Sequence, residues 1–173
     1  MSGACGANHE YGVTRLRYAL LAGVALLAAC SSDTGPPKPQ VTFTVDGQSV
    51  SARPFLYCDV MVSKCDRDDG AQAKLKVPPG KQLTVAVPQD IFESPWSVVI
   101  EYKTAAGEQK EPQTVATFVP KERRDYTIQL PTPGDQLQTV EIKQAGAKQD
   151  PAAPSGDIQL LARAVWSLQI ESS

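Results

Sequence analysis

The chain has 173 residues, 17 basic and 19 acidic side chains, a formal net charge of −2 and one histidine. So even a balance carries no electrostatic footprint for nucleic acid, and none is expected as a partner. Fourteen prolines and twelve glycines, set between short apolar alternations, disfavour long helices and favour strands joined by turns.

Residues 1–29 read as a targeting segment. Arg15 and Arg17 precede an apolar run from Tyr18 to Ala29 that closes on small residues, the order of a secretory signal helix. The run is too short to cross a roughly 30 Å hydrocarbon core as a helix. It stops at Leu27-Ala28-Ala29-Cys30, which resembles the lipobox of bacterial lipoproteins. That resemblance implies a diacylated thiol, cleavage before Cys30, and Cys30 as the first mature residue. One acyl chain, such as palmitate, binds a membrane only marginally, and two or more anchor stably. The expected localisation is therefore the outer face of the cell membrane, held through the lipid on Cys30. The polar leader before Thr14 is odd for a signal. Valine codons can initiate in bacteria, and a chain begun at Val13 reads as a compact one.

Removing 29 of 173 residues leaves 144, one domain by length, able to bury about two-thirds of its unfolded surface. Arg15, Arg17 and Glu10 go with the signal, so the mature balance is 15 basic against 18 acidic. His9 and Cys5 go too. Cys58 and Cys65 remain beside the lipidated Cys30, and in an oxidising compartment a leftover pair reads as a disulfide.

Residues 30–40 form the lipidated start and a flexible linker with Gly35, Pro36, Pro37 and Pro39. Ser31, Ser32 and Thr34 offer hydroxyls for sugars, although plain linker is the simpler reading. The folded domain is expected over 41–171. Val41 to Val45 alternates as a half-buried strand, Asp46-Gly47 signals a hairpin, and Gln48 to Ala52 returns. Pro54 breaks that strand, and Phe55 to Cys58 continues it. Lys74 to Val77 and Leu83 to Val87 are short strands around the turn at Pro78-Pro79-Gly80. Pro88 to Ser94 is irregular, with room for one helical turn. Trp96, Val98, Ile100 and Tyr102 share a strand face, and Ala105 to Glu108 is a turn. Further strands are expected over Thr114–Val119, around Tyr126 to Leu130, and over Leu137–Lys143. Gln144 to Gly156, rich in Ala, Gly and Pro, reads as a mobile loop. The chain finishes on a strand from Ile158 to Ile170, with Ala164, Trp166, Leu168 and Ile170 on one face and Ser167 and Gln169 on the other. About nine strands at this turn spacing predict an all-β, immunoglobulin-like two-sheet sandwich.

Several segments occur in an order that resembles a known family. They are Tyr57-Cys58-Asp59 with Cys65, Val77-Pro78-Pro79-Gly80, Val87-Pro88 through Ile91 to Pro95-Trp96, and Ala164-Val165-Trp166-Ser167. The set resembles the actinobacterial envelope proteins of unknown-function family 2771. That resemblance implies a small membrane-anchored or secreted domain, and it supplies no catalytic residues.

The polar clusters carry little recognisable chemistry. Without a mature histidine there is no His-assisted nucleophile, and zinc sites of the usual kinds lack ligands. Cys58 and Cys65 with Asp59 and Asp66 read as a disulfide among acids rather than a mixed metal site. Asp66-Arg67-Asp68-Asp69-Gly70 departs from a calcium loop, because Lys76 stands where the bidentate glutamate belongs. Glu93 and Glu101 have no spacing that makes them a glycosidase pair. Lys121-Glu122-Arg123-Arg124 is a weak headgroup-binding signal. Tyr57, Trp96, Tyr102, Tyr126 and Trp166 read as core before they read as a ligand pocket. No cofactor is expected. The expected role is a non-enzymatic binding or scaffolding module facing an unidentified envelope protein or ligand. The loops at Asp66–Gly70 and Gln144–Gly156 are its candidate surfaces. A carrier for lipid or another small apolar ligand is the alternative, and a hydrolase ranks below both.

Overall fold

The structure, a computed structural model, describes residues 37–149 and 158–171. The signal, Cys30 and most of the linker lie outside the described residues, as do 150–157 of the expected loop.

Eleven strands and one helical turn follow one another: β1 (Val41–Val45), β2 (Gln48–Ala52), β3 (Pro54–Cys58), β4 (Cys65–Arg67), β5 (Ala73–Lys76), β6 (Leu83–Ala86), α1 (Gln89–Phe92), β7 (Trp96–Lys103), β8 (Gln109–Phe118), β9 (Asp125–Ile128), β10 (Gln136–Gln149) and β11 (Ile158–Glu171). They form the expected immunoglobulin-like sandwich. One sheet has the order β2-β1-β6-β9; the other runs β4-β3-β11-β10-β7-β8, with β5 added beside β11. All pairings are antiparallel except β5 with β11, which is parallel. Asp46 and Gly47 both have positive φ, as a two-residue hairpin turn with the twist of its strands requires.

Alternation explains the core. Val41, Phe43 and Val45 point inward from β1 while Thr42 and Thr44 stay partly exposed. They meet Trp96, Val98, Ile100 and Tyr102 of β7 and Ala164, Trp166, Leu168 and Ile170 of β11 in a single cluster. Both tryptophans are fully buried, and each indole N–H finds a carbonyl: Trp96 donates to Arg123 at 3.2 Å and Trp166 to Pro39 at 2.8 Å.

Three departures from the sequence reading have physical causes. Gln144 to Gln149 is not loop but the end of β10, paired with Ile158 to Ala164 across a register shift at Gln144/Ala145. Its Gly146 is small because the Arg163 and Val62 side chains pass close, and the backbone is paired. β4 was not expected; pairing with β3, Cys58 opposite Cys65, creates it. β8 begins at Gln109, five residues before Thr114. It pairs only with β7, so its polar face and Pro112 sit on an edge, where proline is tolerated. Ser167 lies, as expected, on the face away from the main core; it is buried there because the Gln72 side chain covers it and donates to its hydroxyl at 3.0 Å.

Strands of both sheets run between two ends. The far end gathers the turns at Asp46–Gly47, Pro78–Gln82, Thr104–Glu108 and Pro131–Asp135, tied by Lys81 to Asp46 (3.0 Å) and by Ala105 N–H to the Asp135 carboxylate (3.0 Å). The ribbon end holds the start of β1, the loop between Cys58 and Cys65, α1, the turn from Val119 to Arg124, and the distal halves of β10 and β11. Gln144 fastens the ribbon to α1, its amide donating to the Asp90 carbonyl at 2.9 Å and to Ser94 Oγ at 2.6 Å. Lys121 N–H bonds the Phe92 carbonyl at 2.7 Å, and Val87 N–H the Arg124 carbonyl at 2.8 Å.

Candidate functional site

Cys58 and Cys65 are disulfide-bonded, their Cα atoms 3.9 Å apart across the β3–β4 pair. The bond closes the loop Asp59–Lys64 at its neck. Inside it, the Asp59 carboxylate accepts from Ser63 N–H at 2.8 Å and Ser63 Oγ at 2.6 Å. The Ser63 hydroxyl, and after it the Ser63 amide, lower the Asp59 pKa below 3.8 by stabilising its charged form. With the polar groups turned to one another, Val60 and Met61 are left facing water, 70% and 59% exposed.

The ribbon meets this loop at Gly146. A Cβ there would sit 2.7 Å from Arg163 Cβ and 2.9 Å from Val62 Cγ2, so glycine leaves room for those two side chains. Beyond that crossing, Leu160 and Leu161 are consecutive on β11 and therefore point to opposite faces. Neither face is covered by a second layer at that point: Leu160 is 76% and Leu161 38% exposed. Across the end, Val119 is exposed at the close of the β7–β8 hairpin region.

Two recesses flank the ribbon. One, of about 240 Å³, is lined by Pro95, Trp96, Thr114, Thr117, Leu160 and Leu161 among others. The other, of about 350 Å³, is lined by Val60, Met61, Pro95, Gly146, Leu160 and Arg163 among others. Pro95, Ala145 and Leu160 belong to both. Five of the six large apolar side chains exposed among the described residues lie at this end; the sixth, Val115, follows Thr114 of the first recess. An exposed apolar residue is ordinary, whereas a cluster of them marks an interaction surface.

The other sequence candidates are dispersed. Lys38 pairs with Asp66 at 3.0 Å, Arg53 with Asp68 at 3.1 Å, and Arg67 with Asp69 at 2.7 Å, so the acids of 66–70 are matched to cations as in a solvated turn. Among the described residues no group of three or more His, Cys, Asp or Glu side chains is placed to hold a metal. Glu93 follows α1 and accepts from Gln89, whereas Glu101 lies five residues along β7 from Trp96, about 17 Å of strand. The two do not meet. Lys121 to Arg124 lies at the ribbon end, folded into it: the Glu122 carboxylate accepts from Val119 N–H at 2.9 Å, and the Arg124 guanidinium lies 4.3 Å over the Phe92 ring. Trp96, Tyr102 and Trp166 are core; Tyr57 is half-buried, with Lys38 and Arg163 each 5.9 Å from its ring centre. Cys30 is outside the described residues.

Sequence reasoning missed the apolar pairs themselves. Val60-Met61 stands inside a polar loop and Leu160-Leu161 breaks the alternation of its strand. Two consecutive apolar residues with no second layer available were the signal.

A two-sheet β-sandwich with one apolar end is the class that fold and site define. The chain belongs to the family described as protein of unknown function (DUF2771), whose profile matches residues 34–171. It is similar to uncharacterized proteins of mycobacteria. Rv0875c of Mycobacterium tuberculosis (strain ATCC 25618 / H37Rv) and Mb0899c of Mycobacterium bovis (strain ATCC BAA-935 / AF2122/97) are each 25% identical over 137 residues, covering 79% of this chain and 80% of theirs. No solved structure matches.

Proposed function

We propose that the protein is a lipid-anchored, non-catalytic binding module at the outer face of the cell membrane, and that the ribbon end is its binding surface. The observation that carries the reading is the cluster Val60, Met61, Leu160 and Leu161, left in water around two recesses while the rest of the described domain closes on polar turns. The anchor is motivated by the Arg-led apolar run that ends at Leu27-Ala28-Ala29-Cys30. A surface module is favoured over a carrier because Trp96, Trp166, Phe43 and Leu83 fill the space between the sheets. The two apolar recesses open to solvent beside the ribbon, and neither is an enclosed cavity between the sheets that could surround an apolar ligand. The test is Cys30→Ala in a lipidating host. The expected result is acyl mass on the wild-type Cys30 peptide and release of the mutant from the detergent phase. Equal partitioning of both, with no acyl mass, overturns the anchor. Turnover of any substrate, abolished by one carboxylate or serine change, overturns the non-catalytic role.

A further inference from the structure

The partner of the ribbon end follows from where the chain enters the domain. We propose that the ribbon end rests on the lipid surface itself, with Val60, Met61 and Leu160 at the boundary between headgroups and acyl chains. This rests on the Cys30 anchor proposed above and names what its binding surface meets.

Lys38 and Pro39 are fixed to this end and no other. The Trp166 indole holds the Pro39 carbonyl, the Lys38 ammonium holds Asp66, and Lys38 shares the Tyr57 ring with Arg163, which lines the second recess. From Cys30 to Lys38 the chain spans at most about 28 Å when fully extended. β7, running Trp96–Lys103 from one end of the sandwich to the other, separates the two ends by about 25 Å. To put the far end on the bilayer, the tether would have to run the length of the domain and use nearly all its reach. To put the ribbon end there, it need only descend. The short tether also holds that end at high effective concentration against the bilayer, so weak apolar contacts suffice.

The chemistry of the end suits an interface with one wet side. Aliphatic and thioether side chains project from two separate supports, the disulfide loop and the ribbon, that Gly146 packs together. Arg163 lines the same recess and Lys148 pairs across the ribbon with Gln159, next to Leu160, and both have long stems that let the charge stay among headgroups. The cations of this end, Lys38, Lys64, Arg123 and Arg124 among them, exceed the acids Asp59, Asp66, Asp90, Glu93 and Glu122 by only two, so attraction to anionic headgroups adds modestly to apolar insertion.

The experiment uses the full lipidated chain in vesicles of phosphatidylcholine with phosphatidylglycerol. Met61→p-benzoylphenylalanine, Leu160→p-benzoylphenylalanine and, at the far end, Lys81→p-benzoylphenylalanine are each irradiated and lipid adducts quantified by mass spectrometry. All three positions are exposed, so the substitutions leave the core untouched. Positions 61 and 160 are expected to exceed position 81 by about tenfold, since the far end stands some 25 Å from the acyl chains. Equal yields overturn the proposal, as do adducts at positions 61 and 160 that go to a second copy of the chain in place of lipid. Acyl mass on the Cys30 peptide is read in the same sample. An acylated Cys30 with no positional preference overturns the orientation alone; an unacylated Cys30 overturns anchor and orientation together.

Discussion

The two ends of the sandwich close the same strands in opposite ways. At the far end, turn bonds turn with polar groups: Lys81 meets Asp46, and the buried Asp135 carboxylate accepts from Ala105 N–H at 3.0 Å and Thr132 N–H at 3.2 Å. Its recess, about 210 Å³, is lined by Val45, Asp46, Gln48, Lys76 and Pro78. At the ribbon end the backbone is equally well bonded, yet apolar side chains are left outside. Both ends meet the needs of the backbone, which folding demands; only one exposes surface that folding would rather bury. That excess is what a partner can use.

The largest expected effect tests how the ribbon end is held from beneath. Trp166→Ala should cost about 3–5 kcal/mol by denaturant unfolding, enough to endanger the whole domain. Trp166→Phe keeps most of the ring and loses the bond to Pro39. It should cost about 1 kcal/mol for the hydrogen bond and speed amide exchange near Lys38 while the far end is unchanged. Exchange that rises equally at both ends would mean the ends are not separate units. Next, reducing Cys58–Cys65 should cost about 2.5 kcal/mol for so short a loop. New exchange should be confined to Asp59–Lys64 and the ribbon at Gly146. A pair of glycines then contrasts the ends directly. Gly80 has φ +74, and a Cβ would lie 2.6 Å from the Pro133 carbonyl oxygen; Gly146→Ala meets Arg163 Cβ and Val62 instead. Gly80→Ala should cost about 1–3 kcal/mol through backbone strain, and Gly146→Ala a similar amount through overpacking. Chemical-shift changes from the first should stay at the far end, and from the second at the ribbon end. Only Gly146→Ala should alter lipid crosslinking at position 160.

The strands that face the core were legible because alternation with period two is a local property. β1, β2, β6, β7 and most of β11 follow from which residues are apolar. β4 and the end of β10 were not legible, because their pairing is decided by a distant partner. Cys65-Asp66-Arg67 has no strand pattern of its own and becomes one only beside β3. Gln144 to Gln149 has the composition of a loop and the environment of a strand, since Gly146 is small to admit Val62 and Arg163. The disulfide was legible by counting the cysteines left after the expected signal. The candidate surface was half legible: the segment after Gln144 was named, but the loop inside the disulfide was passed over for its acidic neighbour at 66–70. Which end an exposed pair reaches depends on register and topology, and neither is written in a single segment.

The smallest effect is the most local and concerns the pH range of the disulfide loop. Asp59 is held ionised by Ser63, so its folded pKa lies below the ordinary 3.8. A group with a depressed folded pKa contributes stability at pH values above its ordinary one, and that contribution is lost as pH falls through the folded value. The loop should therefore keep its structure down to about pH 4 and loosen below it. The amide of Ser63, which donates to Asp59, is the reporter, and the amide of Gly107, which donates to the Thr104 carbonyl at the far end, is the control. Asp59→Asn keeps one acceptor oxygen but loses the charge, so Ser63 exchange should become faster at neutral pH and insensitive to acid. If wild-type Ser63 and Gly107 respond alike between pH 5 and pH 3, the acid response belongs to the whole domain and not to the loop. If only Ser63 responds, the ribbon end opens separately from the core. The side chains beside it, Val60 and Met61, then owe their exposed position to one carboxylate and one serine.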